Sequence, residues 1–415
     1  MYAFLRALRL GWAGAVAGGL AYELTGLVAS LVKPGHDGKL FVSALAPLAL
    51  LALLRAVRDR RPGGYALLAL TVGLCMLSPH YQMTYYLLVA AGFWTLYLAF
   101  AGEPRPEGRG RFVALGASLG AVFLGLAISA IQAMPFLSYL PYAARGTNQG
   151  WEYATSFALP VEELMTTLLP QFNGVLQSYW GQNFFKLHTE YLGAIVLVLA
   201  AIGAGDPLRG RLRWILLFIG GFFLLVALGG HTPFYRAWYE LMPLMKKVRA
   251  PGMAFMLPAF VVAVFTAFGV DRLLQRDLTL RQLLLPLGVV GAIALLGVLG
   301  ALQGVAEAVA RPEQMERVVA NAGELRGGAL RLLLVALVGA TALWAVWAGR
   351  LRGPGAAALL ALVVGGDLWS VARGFFEWSP RAAELYADDE LITRLRATPL
   401  PYRVFDVPGG SGAYE

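Results

Sequence analysis

Cysteine is almost absent: Cys75 stands alone in 415 residues. An internal disulfide is excluded, and a single thiol inside an apolar run reads as a packing residue. Histidine is confined to four positions, without HExxH or HxH spacing, so a zinc centre has no support in the pattern. Charge is scarce too: 14% of residues are Asp, Glu, Lys or Arg, against about 25% in an ordinary globular protein. The start, "MYAFLRALRLGWAG", is not a signal peptide in character, because two arginines interrupt it and a spanning segment follows at once. What abounds is apolar, 58% of the chain with a mean hydropathy of +0.63. Stretches of roughly 17–25 apolar residues recur throughout, each able to cross a hydrocarbon layer about 30 Å thick. They do not alternate as barrel strands do, so the expectation is an all-α polytopic membrane protein in a lipid bilayer. The net charge of +9 fits arginines that set membrane topology, not nucleic-acid binding.

Eleven spans are expected, near 11–31, 41–55, 64–78, 83–100, 112–133, 191–205, 213–229, 252–270, 283–302, 329–348 and 354–372. The division is a transmembrane domain over 1–373, with its main loop at 134–190, and the start of an extracytoplasmic soluble domain over 374–415. With the N-terminus inside, the inner segments hold 17 Lys/Arg in 56 residues and the outer segments 11 in 119. The positive-inside rule therefore gives N-in, C-out. All four histidines and all five lysines then fall outside, where the long loops are. Glycines at small-xxx-small spacing, as in "GALRLLLVALVGATA" and "LGVVGAIALLGVLG", suggest close helix packing.

Several outer stretches carry candidate chemistry. "KPGHDGKL" turns tightly and sets His36 beside Asp37, which suits an acid/base pair, metal ligands or merely a solvated turn. "LSPHYQMTYYLL" brings His80 and Gln82 to a hairpin whose tyrosines also fit an interfacial belt. In the 134–190 loop, "LPVEELMTTLLP" reads as a short interfacial helix with Glu162 and Glu163 in its first turn. In the same loop Trp151, Tyr153, Tyr179 and Trp180 are interspersed with Asn, Gln and Gly, which suits a sugar's faces and edges and suits membrane anchoring equally well. His188 is a further cavity candidate, and Glu152 with Glu190 is a candidate acid/base pair. His231 opens a further outer segment, which ends in the basic cluster Lys246, Lys247 and Arg249. This cluster runs against the charge trend, so it is either a headgroup anchor or a phosphate clamp. "GVAEAVARPEQMERVVANAGELRG" is a charged amphipathic segment, an interfacial helix or a partner surface. Asp367, inside or near a span, is a functional or helix-pairing candidate. In the tail, "AELYADDELITRLRA" reads as a helix and "YRVFDV" as a strand.

Taken in order, "AYELTGLVAS", "EYATSFALPVEELMTTLLPQFNG", "YWGQ…TEYLGAIVLVLA", "GGHTPFYRAWYELMPLMKKVRAPGMAFMLPAF" and "PYRVFDV" resemble the YfhO family of bacterial membrane proteins, grouped with GT-C-type glycosyltransferases. The resemblance covers about 20–405. It implies a GT-C-like helical core in the bacterial cytoplasmic membrane. Its activity would be transfer of a sugar from a polyprenyl-phosphate carrier to a cell-envelope polymer or glycolipid on the extracytoplasmic face. It maps the family's Arg-x-Pro feature onto Arg249 and Pro251, and its glycine-aromatic loop onto Tyr179 to Gly181. The family's first span and large aspartate-bearing loop have no counterpart, so the chain is expected to be an internal fragment. Asp37 is the nearest in-chain substitute for the catalytic base, with Lys246, Lys247 and Arg249 on the donor phosphate. No cofactor is assigned, and a divalent metal stays open. The alternative from another class is a lipid or polysaccharide transporter or flippase, against which stands the want of an internal repeat.

Overall fold

A computed structural model describes residues 1–78, 80–143, 149–399 and 401. The described residues are helical, with no strand among them. Two compact units divide at Phe376 and Glu377. The first begins with α1 (Tyr2–Ala7), α2 (Trp12–Glu23) and α3 (Gly26–Ala29). Then come α4 (Asp37–Leu53), α5 (Gly63–Leu77), α6 (Tyr81–Phe100), α7 (Gly110–Ile128), α8 (Ala130–Tyr139) and α9 (Gly150–Thr155). After a stretch of isolated 3-10 turns follow α10 (Ala194–Ala204), α11 (Gly210–Ala227), α12 (Phe234–Leu241), α13 (Met256–Gln275) and α14 (Leu280–Val298). The unit closes with α15 (Ala301–Val309), α16 (Met315–Ala320), α17 (Ala322–Trp347) and α18 (Gly353–Ala372). The second unit holds α19 (Ala382–Leu385) and α20 (Glu390–Ala397), so the one helix expected there is two. The strand expected at "YRVFDV" lies outside the described residues.

All eleven apolar stretches carry helix. Among the described residues, eight helices are long and apolar enough to cross a membrane, or nine if the bent pair of α2 with Gly26–Val32 is one span. The chain is thus an α-helical membrane protein. Of the other apolar helices, α5 has 15 residues and α10 has 11. At 1.5 Å per residue they reach only about 22 and 17 Å, short of a full crossing.

The middle of the bundle is α13, buried along almost its whole length and packed on α10, α2 and α11. Its approach to α10 depends on two glycines. A Cβ on Gly269 would stand 2.0 Å from the Leu199 carbonyl oxygen, and one on Gly203 would stand 1.9 Å from that of Phe265. Gly269→Leu is therefore expected to cost about 1–3 kcal/mol by forcing the two backbones apart, seen as a lower unfolding temperature in detergent. The small-residue motifs are more mixed. Gly297 and Gly339 meet Ala329 and Ile195 closely, whereas Gly288 and Gly291 have open space beside them.

The break after α2 has a visible cause. The N–H of Gly26 donates to the Tyr191 carbonyl at 2.7 Å, and the Thr25 hydroxyl donates to the same oxygen at 3.0 Å. The Thr189 N–H donates to the Ser30 hydroxyl at 3.1 Å. An extended segment thus docks into the broken helix, and that segment carries His188 and Glu190. Just beyond it, Asp367 of α18 receives the Ile195 N–H at 3.1 Å and the Tyr191 hydroxyl at 2.5 Å, with Arg331 at 3.4 Å. The intramembrane carboxylate pairs helices: it caps the start of α10 from a neighbouring span.

The arginines that gave the charge asymmetry pin short loops. Arg58 donates to the Ala7 carbonyl at 2.9 Å, and Arg272 donates to those of Ile202 and Asp277, both at 2.8 Å. The amphipathic 304–327 stretch finds its partner within the chain. Arg311 donates to Gln182 at 2.9 Å, Gln314 to the Gly181 carbonyl at 3.0 Å, and Asn321 to the Gln171 carbonyl at 2.8 Å. These bonds hold the Tyr179–Gly181 loop against the spans.

Candidate functional site

A cavity of about 1540 Å³ opens at one end of the bundle, walled by α3, the start of α4, the α5–α6 hairpin, α8, the 153–190 segment and the 244–256 segment. Of the residues singled out from the sequence, His36, Asp37, His80, Gln82, His188, Glu190, Lys247 and Arg249 line it. Gathering these residues from distant parts of the chain is the work of the helix starts. His36 is the N-cap of α4, and His80 is the N-cap of α6, accepting from the Met83 N–H at 3.4 Å. The hairpin that bears His80 and Gln82 thus lines this cavity. Its tyrosines divide between roles: Tyr81 lies 4.9 Å from Phe136 of α8, while Tyr86 is buried among Phe223 and Trp238.

Five expected residues fall elsewhere. Tyr179 is buried off the cavity wall, its hydroxyl turned to the Glu163 carboxylate. His231 and Glu152 are exposed and off the cavity wall. Trp180 is buried and donates its indole N–H to the Phe172 carbonyl at 2.9 Å, a packing role. Lys246 turns outward to Glu240 at 2.6 Å, so the basic cluster contributes Lys247 and Arg249 to the cavity and not all three side chains. The reason is local. Leu244 adopts left-handed backbone (φ +69°), and one 3-10 turn over Met245–Lys247 sends adjacent side chains in different directions.

The 161–167 segment is a 3-10 turn and not an interfacial α-helix, and Glu163 within it is fully buried. Its carboxylate accepts the Tyr179 hydroxyl at 2.5 Å and pairs with Lys186. Lys186 also pairs with Glu190 at 2.5 Å, and Glu190 meets His188 at 3.2 Å. Burial alone would raise the Glu190 carboxyl, but Lys186 and His188 outweigh it and hold it well below the usual range. Burial would likewise lower Lys186, and Glu190 with Glu163 reverses this. The Tyr179 phenol is pushed up by burial and by the Glu163 charge. The acid/base pairing of Glu152 with Glu190 suggested by composition is replaced by this lysine-centred ion cluster. Glu163 read only as a first-turn residue of a surface helix and Lys186 carried no motif; the only hint was Lys186 four places before Glu190.

Burial, the Lys39 charge and His188 push His36 down to about 4, and burial with Lys39 does the same to His80. Both imidazoles are neutral at pH 7. Lys39, with its Nζ 3.4 Å from the His36 Nδ1, joins Lys247 and Arg249 as a cation on the wall. Arg249 lies over two rings, its guanidinium carbon 5.5 Å from the Tyr153 centroid and 5.3 Å from that of Phe157. That sandwich orients the planar fork without neutralising it. Much of the remaining lining is apolar, including Leu126, Ala133, Phe136, Leu137 and Leu140 from the end of α7, from α8 and from just past it. None of the residues of α8 is buried. Among the described residues, no three His, Cys, Asp or Glu side chains gather as a metal ion would require. Comparison with family models, with curated proteins and with solved structures gives no match to this chain.

Proposed function

We propose that the chain is a glycosyltransferase-like protein of the bacterial cytoplasmic membrane, as its resemblance to the YfhO family suggests. It would take a sugar from a polyprenyl phosphate and pass it to a cell-envelope polymer or glycolipid outside the cytoplasm, with the N-terminus inside. The observation that carries this reading is a cavity lined both by the cations Lys247 and Arg249 and by apolar residues of α8, a helix with no buried residue. An anionic headgroup on a hydrocarbon tail matches both kinds of lining at once. Asp37, exposed at the cavity lining, is the candidate base. The acceptor hydroxyl gives its proton to the Asp37 carboxylate, and its oxygen forms the new bond to the anomeric carbon. The bond from that carbon to the phosphate oxygen breaks, and the electron pair leaves on the polyprenyl phosphate with inversion. Arg249 and Lys247 stabilise that departing charge through charge-assisted hydrogen bonds.

One observation favours the transporter alternative: a broken span beside the site, as transporters use to expose backbone groups to substrate. Here, however, the freed N–H of Gly26 is taken by the chain's own Tyr191. The test is titration of farnesyl phosphate onto the full chain in nanodiscs, with farnesol and inorganic phosphate as controls. Farnesyl phosphate alone should bind, and Arg249→Lys should weaken it roughly tenfold, because a point charge replaces the fork. Asp37→Asn should bind normally yet transfer no sugar. Equal binding by wild type and Arg249→Ala defeats the phosphate reading, and lipid movement across vesicles without transfer selects the transporter.

A further inference from the structure

The basic segment reaches the cavity on a backbone that is unusual at each step. Ala250 is left-handed at φ +58° and ψ +61°, a conformation an alanine adopts only when its surroundings dictate it. Its N–H donates to the Ser156 carbonyl at 2.9 Å. The following Pro251 packs on Gly229, where a Cβ would come within 2.7 Å of the proline ring. One tie comes from far away in the chain. The side-chain nitrogen of Gln82, the second residue of α6, donates to the Arg249 carbonyl at 2.7 Å and to the Tyr86 hydroxyl oxygen at 2.8 Å. Both amide hydrogens are thereby used. The reversed amide would set its oxygen against the Arg249 carbonyl, so the orientation is fixed by the partners. Tyr86 is wholly buried and one helical turn away, which makes it a rigid anchor for the glutamine.

We infer that Gln82 is a positioning residue for Arg249: it fixes the peptide from which the guanidinium projects over Tyr153 and Phe157, and so sets where the cavity receives an anion. The inference rests on the phosphate reading of the cavity. Without the tie, the Arg249 carbonyl loses its donor, and the left-handed turn at Ala250 loses one of its restraints. The ring sandwich alone cannot restore the fork's position, because cation–π contacts restrain distance more than direction. Gln82 lines the cavity, but its donor hydrogens point into the protein, so its effect on a ligand must pass through the arginine.

Non-additivity tests this. Farnesyl phosphate is titrated onto wild type, Gln82→Met, Arg249→Ala and the double variant, each as the full chain in nanodiscs. Methionine keeps the length and removes the donor. Gln82→Met should weaken binding about 3- to 10-fold, the usual worth of one such hydrogen bond. In the Arg249→Ala background the same change should weaken it no further. Gln82→Leu, which also lacks the donor and adds no charge to the cavity, should repeat both results and takes the place of Gln82→Met if that variant does not fold. Wild-type binding by a folded Gln82 variant overturns the inference. So does a loss that multiplies with that of Arg249→Ala, since a merely structural role acts on either background. If wild type and Arg249→Ala bind alike, it is the phosphate reading that fails, whatever Gln82 does.

Discussion

Replacing Lys186 with methionine is expected to destabilise the fold by about 3–5 kcal/mol, the usual consequence of removing one partner from a buried ion cluster. Thermal unfolding in detergent would read it. Lys186 and both of its carboxylate partners are buried. Their separate desolvation is offset only while the cluster is complete. Without the lysine, Glu163 and Glu190 are left as two buried like charges with no cation between them. The pH dependence makes the prediction sharper. The folded pKa of Glu190 lies below its ordinary 4.5, so its contribution is present above that pH and is lost as pH falls through it toward the folded value. Lys186 is raised above its ordinary 10.5, so its share is present below that pH and is lost as pH climbs through the folded value. Wild type should therefore be most stable on a plateau between these limits. In Lys186→Met the acid limb should reverse, with stability rising as pH falls and the stranded Glu190 takes up a proton. An unfolding temperature equal to wild type at pH 7 would show that the cluster contributes nothing.

What the sequence made legible follows from the strength of each physical signal. Apolar runs of twenty residues admit one backbone solution in lipid, so helices such as α4, α6 and α13 could be read directly. The cavity end was legible in part, because His36 and His80 sit at helix starts where short hairpins must bring chain neighbours together. Arg249 and Lys247 were readable as cations out of place. Lys246, their neighbour, was not separable from them, since a single left-handed residue at Leu244 decides which way it turns. Glu163 was hidden for a related reason. "VEEL" suits the first turn of a surface helix, and its burial depends on Lys186, 23 residues on in a segment without periodicity. The bond from Gln82 to Arg249 spans 167 residues and involves a backbone carbonyl, which leaves no trace in side-chain pattern. Asp367 was conspicuous as a charge in a span, but its partner is the amide end of α10, and backbone groups carry no residue identity.

Asp367 supports the remaining prediction. Asp367→Leu should destabilise the protein by about 3–5 kcal/mol, because one carboxylate serves three groups that lipid cannot satisfy. Its removal strands the Ile195 N–H at the start of α10 and the Tyr191 hydroxyl hydrogen, and it leaves the charge of Arg331, still bonded to Ser370 at 2.8 Å, without a counter-charge. Asp367→Asn should cost less, since the amide oxygen can still accept from the helix end while the charge on Arg331 goes unmatched. The double variant Asp367→Leu with Arg331→Leu separates the two contributions. If the stranded cation dominates, removing it as well recovers most of the loss, as when a buried ion pair is replaced by apolar side chains. If the cap of α10 dominates, the double variant stays as unstable as Asp367→Leu. The second outcome is expected here: Gly193 is left-handed (φ +97°) and leaves no room for another cap, since a Cβ there would stand 2.8 Å from Leu368 and 3.3 Å from the carboxylate itself. With α10 frayed, the Tyr191 carbonyl would lose its alignment with Gly26, and the segment bearing His188 and Glu190 would loosen with it. Asp367→Leu should therefore also weaken farnesyl phosphate binding, although Asp367 is not among the residues that line the cavity.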